Sequence, residues 1–227
     1  MLGSRARTQE VDRRLEDRFP GTAASLCALR HRSAFELVVA TVLSAQCTDA
    51  RVNEVTPRLF ARFPTPAALA GAPRDELEQL VHSTGFFRAK ADHLLGLAAA
   101  ICERFNGEVP TSLEDLSSLP GVGRKTANVV RSVAFGLPGL PVDTHVMRLS
   151  RRLGLTRATE PVGIERVLCR ALSPAQWGGF SVRMILHGRA TCTARRPACD
   201  ACALEDLCPK RGVVLTTSVG VKRRASR

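Results

Sequence analysis

Three groups of residues in this 227-residue chain carry the types and spacing for chemistry. The first is Lys125, which closes the segment Leu119-Pro-Gly-Val-Gly-Arg-Lys125. Pro120 stops the preceding helix. Gly121 and Gly123 permit positive φ and leave no Cβ to block an approaching backbone. A helix starting directly afterwards offers free N–H groups and the positive end of its dipole, which together make an anion site. A hairpin with Gly121, Val122 and Gly123 at its tip can thus grip a DNA phosphate without reading sequence. A plain connection between two helices uses the same glycines; the neighbouring basic residues favour the phosphate reading. Lys125 falls in the first turn of the second helix, where the dipole disfavours a cation. Partial burial there would lower its pKa and free the amine. A free amine is a nucleophile of the Schiff-base kind. The plain alternative is a solvated lysine beside a phosphate.

The second group is Pro141-Val-Asp-Thr-His145, eighteen residues on from Lys125 to Asp143. Asp143 suits a helix N-cap. A carboxylate near Lys125 could also stabilise positive charge growing on a sugar ring or help deprotonate the amine. His145 reads as a structural histidine. The third group is Cys192, Cys199, Cys202 and Cys208, crowded into one short stretch, whereas Cys27, Cys47, Cys102 and Cys169 are scattered and read as buried small apolar residues. Four clustered thiolates suit zinc or an iron–sulfur cluster, and softness alone does not choose. Only one pair has the Cys-x2-Cys spacing that zinc sites usually show twice. Arg195 and Arg196 lie inside the cysteine stretch, placed to meet phosphate if its ends are pinned.

The elements that must position these groups read as almost entirely helical. Apolar residues recur at helical spacing through Ser33–Ser44, Arg51–Phe63, Asp75–Ser83 and Arg88–Phe105. Thr111-Ser-Leu-Glu114 fits a capping box opening a short helix to Ser117 or Ser118. The helix after the hairpin runs to about Phe135, one capped by Asp143 or Thr144 reaches Leu153, and Ser173-Pro174 opens another toward His187. Residues 1–8 and the stretch from Val214 read as mobile, basic ends. The formal charge of +12 implies a polyanionic partner. No apolar run approaches the roughly 20 residues of a membrane span, and the charged N-terminus lacks a signal-peptide core. A soluble, cytoplasmic, nucleic-acid-binding monomer is the expectation.

Taken together, Leu119 to Lys125, Val142-Asp-Thr-His145 and the cysteine cluster resemble the endonuclease III family of the helix-hairpin-helix DNA glycosylases. Leu43-Ser-Ala-Gln46, Thr48-Asp49, Asn106-Gly-Glu-Val-Pro110 and Ile185-Leu-His-Gly-Arg189 extend the resemblance over about Ser33 to Cys208. It implies an all-α, two-domain fold: a six-helix domain over residues 27–137, and a cluster domain from residues 1–26 and 138–227, with the active site in the cleft between. It implies base-excision repair of double-stranded DNA carrying oxidised pyrimidines or abasic sites. Lys125 would displace the base at C1′ with help from Asp143, and β-elimination would cut the strand. The four cysteines would hold a [4Fe–4S] cluster. Gln46 would fill the gap left by the flipped nucleotide, and Phe86 would wedge into the duplex where the family commonly has leucine. A core aromatic is the alternative for Phe86, and packing or capping for Ser44 and Asp49.

Three rival functions stand beside this one. An adenine-mismatch glycosylase of the same superfamily would lack the hairpin lysine. A non-catalytic helix-hairpin-helix module would need no pairing of Lys125 with Asp143. A zinc-dependent nucleic-acid binder would hold no iron.

Overall fold

Residues 4–213 are described by a computed structural model, and every regular element among them is helical. The apolar positions separate into two cores. The first gathers Leu37, Leu43, Leu59, Leu77, Leu94, Ile101, Leu116 and Val130 among others; the second gathers Val11, Leu15, Leu140, Leu149, Leu168, Phe180 and Leu204.

Around the first core lie α2 (Ala34–Leu43), α3 (Asp49–Arg62), α4 (Pro66–Ala70), α5 (Arg74–Val81), α6 (Phe87–Phe105), α7 (Leu113–Ser117) and α8 (Arg124–Ala134). The expected six helices are present, with α4 as an added single turn. Thr65 starts it by accepting from Ala68 N, with Pro66 in the first turn. Local chemistry fixes the other starts: Ser33 caps α2 and Thr48 caps α3, each with its hydroxyl on a backbone N–H. The cap of α7 lies one residue beyond the expected Thr111. Ser112 accepts from Asp115 N at 3.0 Å. The Thr111 carbonyl is instead taken by Arg131.

Around the second core lie α1 (Ser4–Arg18), α9 (Thr144–Arg152), α10 (Pro161–Ala171) and α11 (Trp177–Ala190), the last entered through a short 3₁₀ turn capped by Ser173 and Gln176. The expectation of a mobile start fails from residue 4 onward. Ser4 bonds the Leu155 carbonyl, Arg7 reaches the Leu153 and Gly154 carbonyls at 3.4 Å, and Thr8 is buried. Partners 146 to 151 residues away in sequence supply those bonds, so no local pattern announces them. The basic stretch from residue 214 lies outside the described residues. A buried ion pair pins α1 further: Asp12 accepts from Arg183 at 3.2 Å and from Gln176 at 2.7 Å.

α11 packs against both α8 and α9 and so spans the two cores. Two ion pairs join them at the surface, Arg124 to Glu165 and Arg189 to Asp49, both at 2.8 Å. Among the described residues no helix is long and apolar enough to cross a membrane.

Candidate DNA-processing site and cluster corner

The hairpin is built from the chain outward. Gly121 has φ +74, and a Cβ there would lie 2.9 Å from His93 Cβ on α6, so glycine is required twice over. Gly123 differs from expectation. Its φ of −86 suits any residue, and the space around it is open. Its lack of a side chain leaves room on the outer face. Val122 is buried and its N–H is spent on the Leu119 carbonyl, so it seats the hairpin on the first core. No side chain caps α8. The first N–H groups of α8 are therefore left to an outside acceptor.

Lys125 is the second residue of α8. It is exposed, so the premise of partial burial is not met. It makes no hydrogen bond or ion pair with any described residue. Asp143 caps α9 from the other core, accepting from Val146 N at 2.9 Å with Oδ1. Its second oxygen has no partner among the described residues. His145 behind it is half-buried, and burial pushes its pKa down, with Arg148 and Arg189 adding to that and Asp143 opposing. Arg148 approaches His145 Nδ1 to 3.1 Å. A Cβ on Gly188 would lie 2.6 Å from that nitrogen, which explains the glycine in Ile185-Leu-His-Gly-Arg189. His145 is a packed, structural histidine, as its sequence suggested. Ser44 and Asp49 are likewise engaged, Ser44 with the Thr41 carbonyl and Asp49 with Arg189.

Phe86 is 66% exposed and has φ +50. The aromatic packed against the first core is its neighbour Phe87, which is partly buried, its ring centroid 4.5 Å from that of His82. Gln46 is also exposed, with φ +54. Bulky residues in this region store strain of about 1–3 kcal/mol, which points to function. Sequence reasoning missed Lys90. It is 4% exposed and donates to the Leu43 and Thr84 carbonyls, both at 2.8 Å. A single lysine in an amphipathic helix gives no signal of this.

The four clustered cysteines line one cavity with Leu149, Arg152 and His187. Among the described residues no three His, Cys, Asp or Glu side chains gather tightly enough for a single ion. Four thiolates on one zinc stand about 4 Å apart, given Zn–S bonds of ~2.3 Å. Thiols spread around a cavity fit a larger cluster instead. Three of the sulfurs already receive N–H groups: Cys192 from Arg152 at 3.3 Å, and Cys202 and Cys208 from Leu204 N and Lys210 N at 3.4 Å. Such bonds support cluster sulfurs. Buried Arg152 also donates to the Thr193 and Ala194 carbonyls at 2.7 Å, holding the loop on which Arg195 and Arg196 stand exposed. The scattered cysteines are half-buried rather than fully buried. Burial pushes the Cys169 thiol up to about 12.

A two-lobed helical fold with a glycine hairpin and a four-cysteine corner defines a helix-hairpin-helix protein with a cluster domain. Residues 39–174 match the HhH-GPD superfamily base excision DNA repair proteins, and residues 192–208 match the iron–sulfur binding domain of endonuclease III. The chain is 52% identical to an endonuclease III of Synechocystis sp. over 92% of its length and 94% of that protein's. It is 46% identical to an endonuclease III of Bacillus subtilis, covering 86% and 88% of the two chains. A solved endonuclease III–DNA complex, described as a trapped covalent intermediate, superposes with a TM-score of 0.86 at 44% identity, covering 92% of this chain and 97% of that one. The chain belongs to the endonuclease III family of base-excision repair enzymes, DNA glycosylases with abasic-site lyase activity. It carries a [4Fe–4S] cluster.

Proposed function

We propose that this enzyme removes oxidised or ring-saturated pyrimidines such as thymine glycol from duplex DNA and then cuts the strand, with Lys125 as nucleophile and Asp143 as its assistant. The observation that carries this is an exposed amine, without a partner among the described residues, directly behind an uncapped, phosphate-ready hairpin. The damaged nucleotide is flipped out of the stack, since chemistry on a stacked base is otherwise blocked. Exposed Phe86 wedges the duplex open and Gln46 fills the vacated space. Arg195 and Arg196 hold the phosphates alongside, and the free N–H groups that open α8 hold another.

Lys125 Nζ, having lost a proton, attacks C1′, and the C1′–N bond breaks with its electron pair leaving on the base, which is protonated. The free oxygen of Asp143 stabilises the positive charge that grows on the sugar and accepts a proton from the amine. Ring opening gives a Lys125 imine. Loss of a C2′ proton then expels the 3′ phosphate by β-elimination, and water releases the lysine. Cys192, Cys199, Cys202 and Cys208 are the proposed cluster ligands. When bound, the cluster ties the ends of the arginine loop together.

The test is borohydride trapping on a duplex containing thymine glycol. A covalent adduct is expected, and Lys125→Ala should abolish it, with turnover falling on the order of 10³-fold or more. No adduct on this duplex or on one with an abasic site would overturn the mechanism. An adduct at abasic sites alone would keep the lyase and remove the base substrate. Asp143→Asn should bind lesion DNA yet turn over slowly, and full activity in that variant would remove the role given to Asp143.

A further inference from the structure

Lys90 buries a charged amine inside the first core, a position lysine takes only when its charge is well partnered. Its two acceptors are particular. Leu43 is the last residue of α2, and Thr84 is the last residue of the 3₁₀ turn at His82–Thr84. Terminal helix carbonyls lack partners within their helix and favour a cation. One nitrogen therefore caps two helix ends that come from different parts of the chain.

The residues just beyond the two carbonyls give the bonds their meaning. Gln46 lies three residues after Leu43, and Phe86 two residues after Thr84. Four non-glycine residues have positive φ among those described: Gln46, Phe86, Asn106 and Lys210. Asn106 ends α6, with Gly107 N returning to the Ile101 carbonyl, and Lys210 pairs with Glu205. Gln46 sits in a turn closed by Cys47 N on the Ser44 carbonyl, and Phe86 is the N-cap of α6, its carbonyl taken by Lys90 N. Both are exposed, and both sit shortly after a Lys90 bond. The same helix also supports the phosphate hairpin, because His93 lies under Gly121 and Gly96 under Pro120.

We infer that Lys90 is a positioning residue that clamps the two duplex-entering loops to each other, so that Gln46 and Phe86 enter the helix as one rigid unit. The inference rests on the reading of Gln46 as filler and Phe86 as wedge. Without the clamp each loop would find its own position, and misplacement by about 1 Å can cost on the order of 100-fold in rate. Lys125 sits outside the clamp, on α8, and its amine chemistry does not depend on it.

The experiment compares two reactions of the cluster-loaded, full-length protein. One is single-turnover excision of thymine glycol from duplex DNA at saturating enzyme; the other is borohydride trapping at an abasic site in single-stranded DNA, which has no partner strand to wedge apart. Lys90→Met, of similar volume but without donors, should slow duplex excision by about tenfold or more, with single-strand trapping kept within about twofold. Lys90→Arg, which keeps charge and donors, should recover part of the loss. In a Gln46→Ala/Phe86→Ala background, Lys90→Met should add no more than about twofold. Circular dichroism and visible cluster absorbance check folding; if Lys90→Met does not fold, Lys90→Gln carries the same comparisons.

Equal losses on duplex and single strand would mean a general structural role and would overturn the clamp. So would unchanged duplex excision, failure of Lys90→Arg to recover anything, or full additivity with the double variant. If Gln46→Ala/Phe86→Ala itself excises at the normal rate, the filler-and-wedge reading fails. A large loss in that variant with none in Lys90→Met sinks only the clamp.

Discussion

The hairpin at Leu119–Lys125 and the loop between Cys192 and Cys199 are held in different ways, although both are read as grips on the DNA backbone. The hairpin is fixed by its own covalent chain. Gly121 supplies the turn, buried Val122 the anchor, and α8 the free donors. The cysteine loop has little apolar anchor of its own. Arg152 holds its carbonyls from α9, Thr193 Oγ1 closes on the Arg196 carbonyl at 2.6 Å, and its ends are cysteines. One grip is intrinsic to the fold. The other is closed by one backbone bond, Ala198 N on the Thr191 carbonyl, and is otherwise held by side-chain hydrogen bonds and, as proposed, by a cofactor.

The largest expected effect separates the two directly. Cys202→Ser should lose the cluster, and structural metal sites contribute on the order of 10 kcal/mol to the folding they nucleate. Iron content and thermal melting should fall sharply, with the second core loosened and the first, holding the hairpin, retained. Hydrogen exchange would show this, and uniform loss of protection in both cores would break the comparison. Next, Gly121→Ala should destabilise the protein by about 1–3 kcal/mol through its left-handed backbone, with more from the clash with His93, measured by chemical denaturation. Replacing Arg195 and Arg196 with alanine should leave melting unchanged. It should reduce the slope of log affinity against log salt by about one for each phosphate no longer neutralised. The last variant, Gly123→Ala, should shift stability by less than about 1 kcal/mol, since its φ suits any residue while alanine caps a helix less well than glycine. Its duplex affinity should nevertheless drop, because the new methyl occupies open outer space. A variant as unstable as Gly121→Ala would contradict the distinction drawn between the two glycines.

Much of the local structure was legible. Helical spacing located α2, α3, α5 and α6, Asp143 announced its cap, and glycines marked the hairpin. These are features of short range, decided within one or two turns of chain. Failures occurred where a distant partner chose between local equals. Thr111 and Ser112 both suit a cap, and Arg131 took the Thr111 carbonyl. Phe86 and Phe87 are identical in composition, and only packing against the first core sent Phe87 inward and left Phe86 out. Whether Lys125 is buried was left open by its place in the helix, because exposure depends on what packs above it.

By itself the sequence determined the chemical inventory: one amine behind a glycine hairpin, one carboxylate at a cap, four thiols in a short stretch, and a net positive charge. Residue type and close spacing carry that information, because covalent geometry alone places such groups. Only the tertiary structure decided how the groups are held. It put Lys125 and Asp143 on helices from separate cores, spread the four thiols around one cavity, and buried Lys90 between two carbonyls 47 and 6 residues away. Bonds of that range form when apolar faces are buried together, and which polar groups meet is settled by that packing.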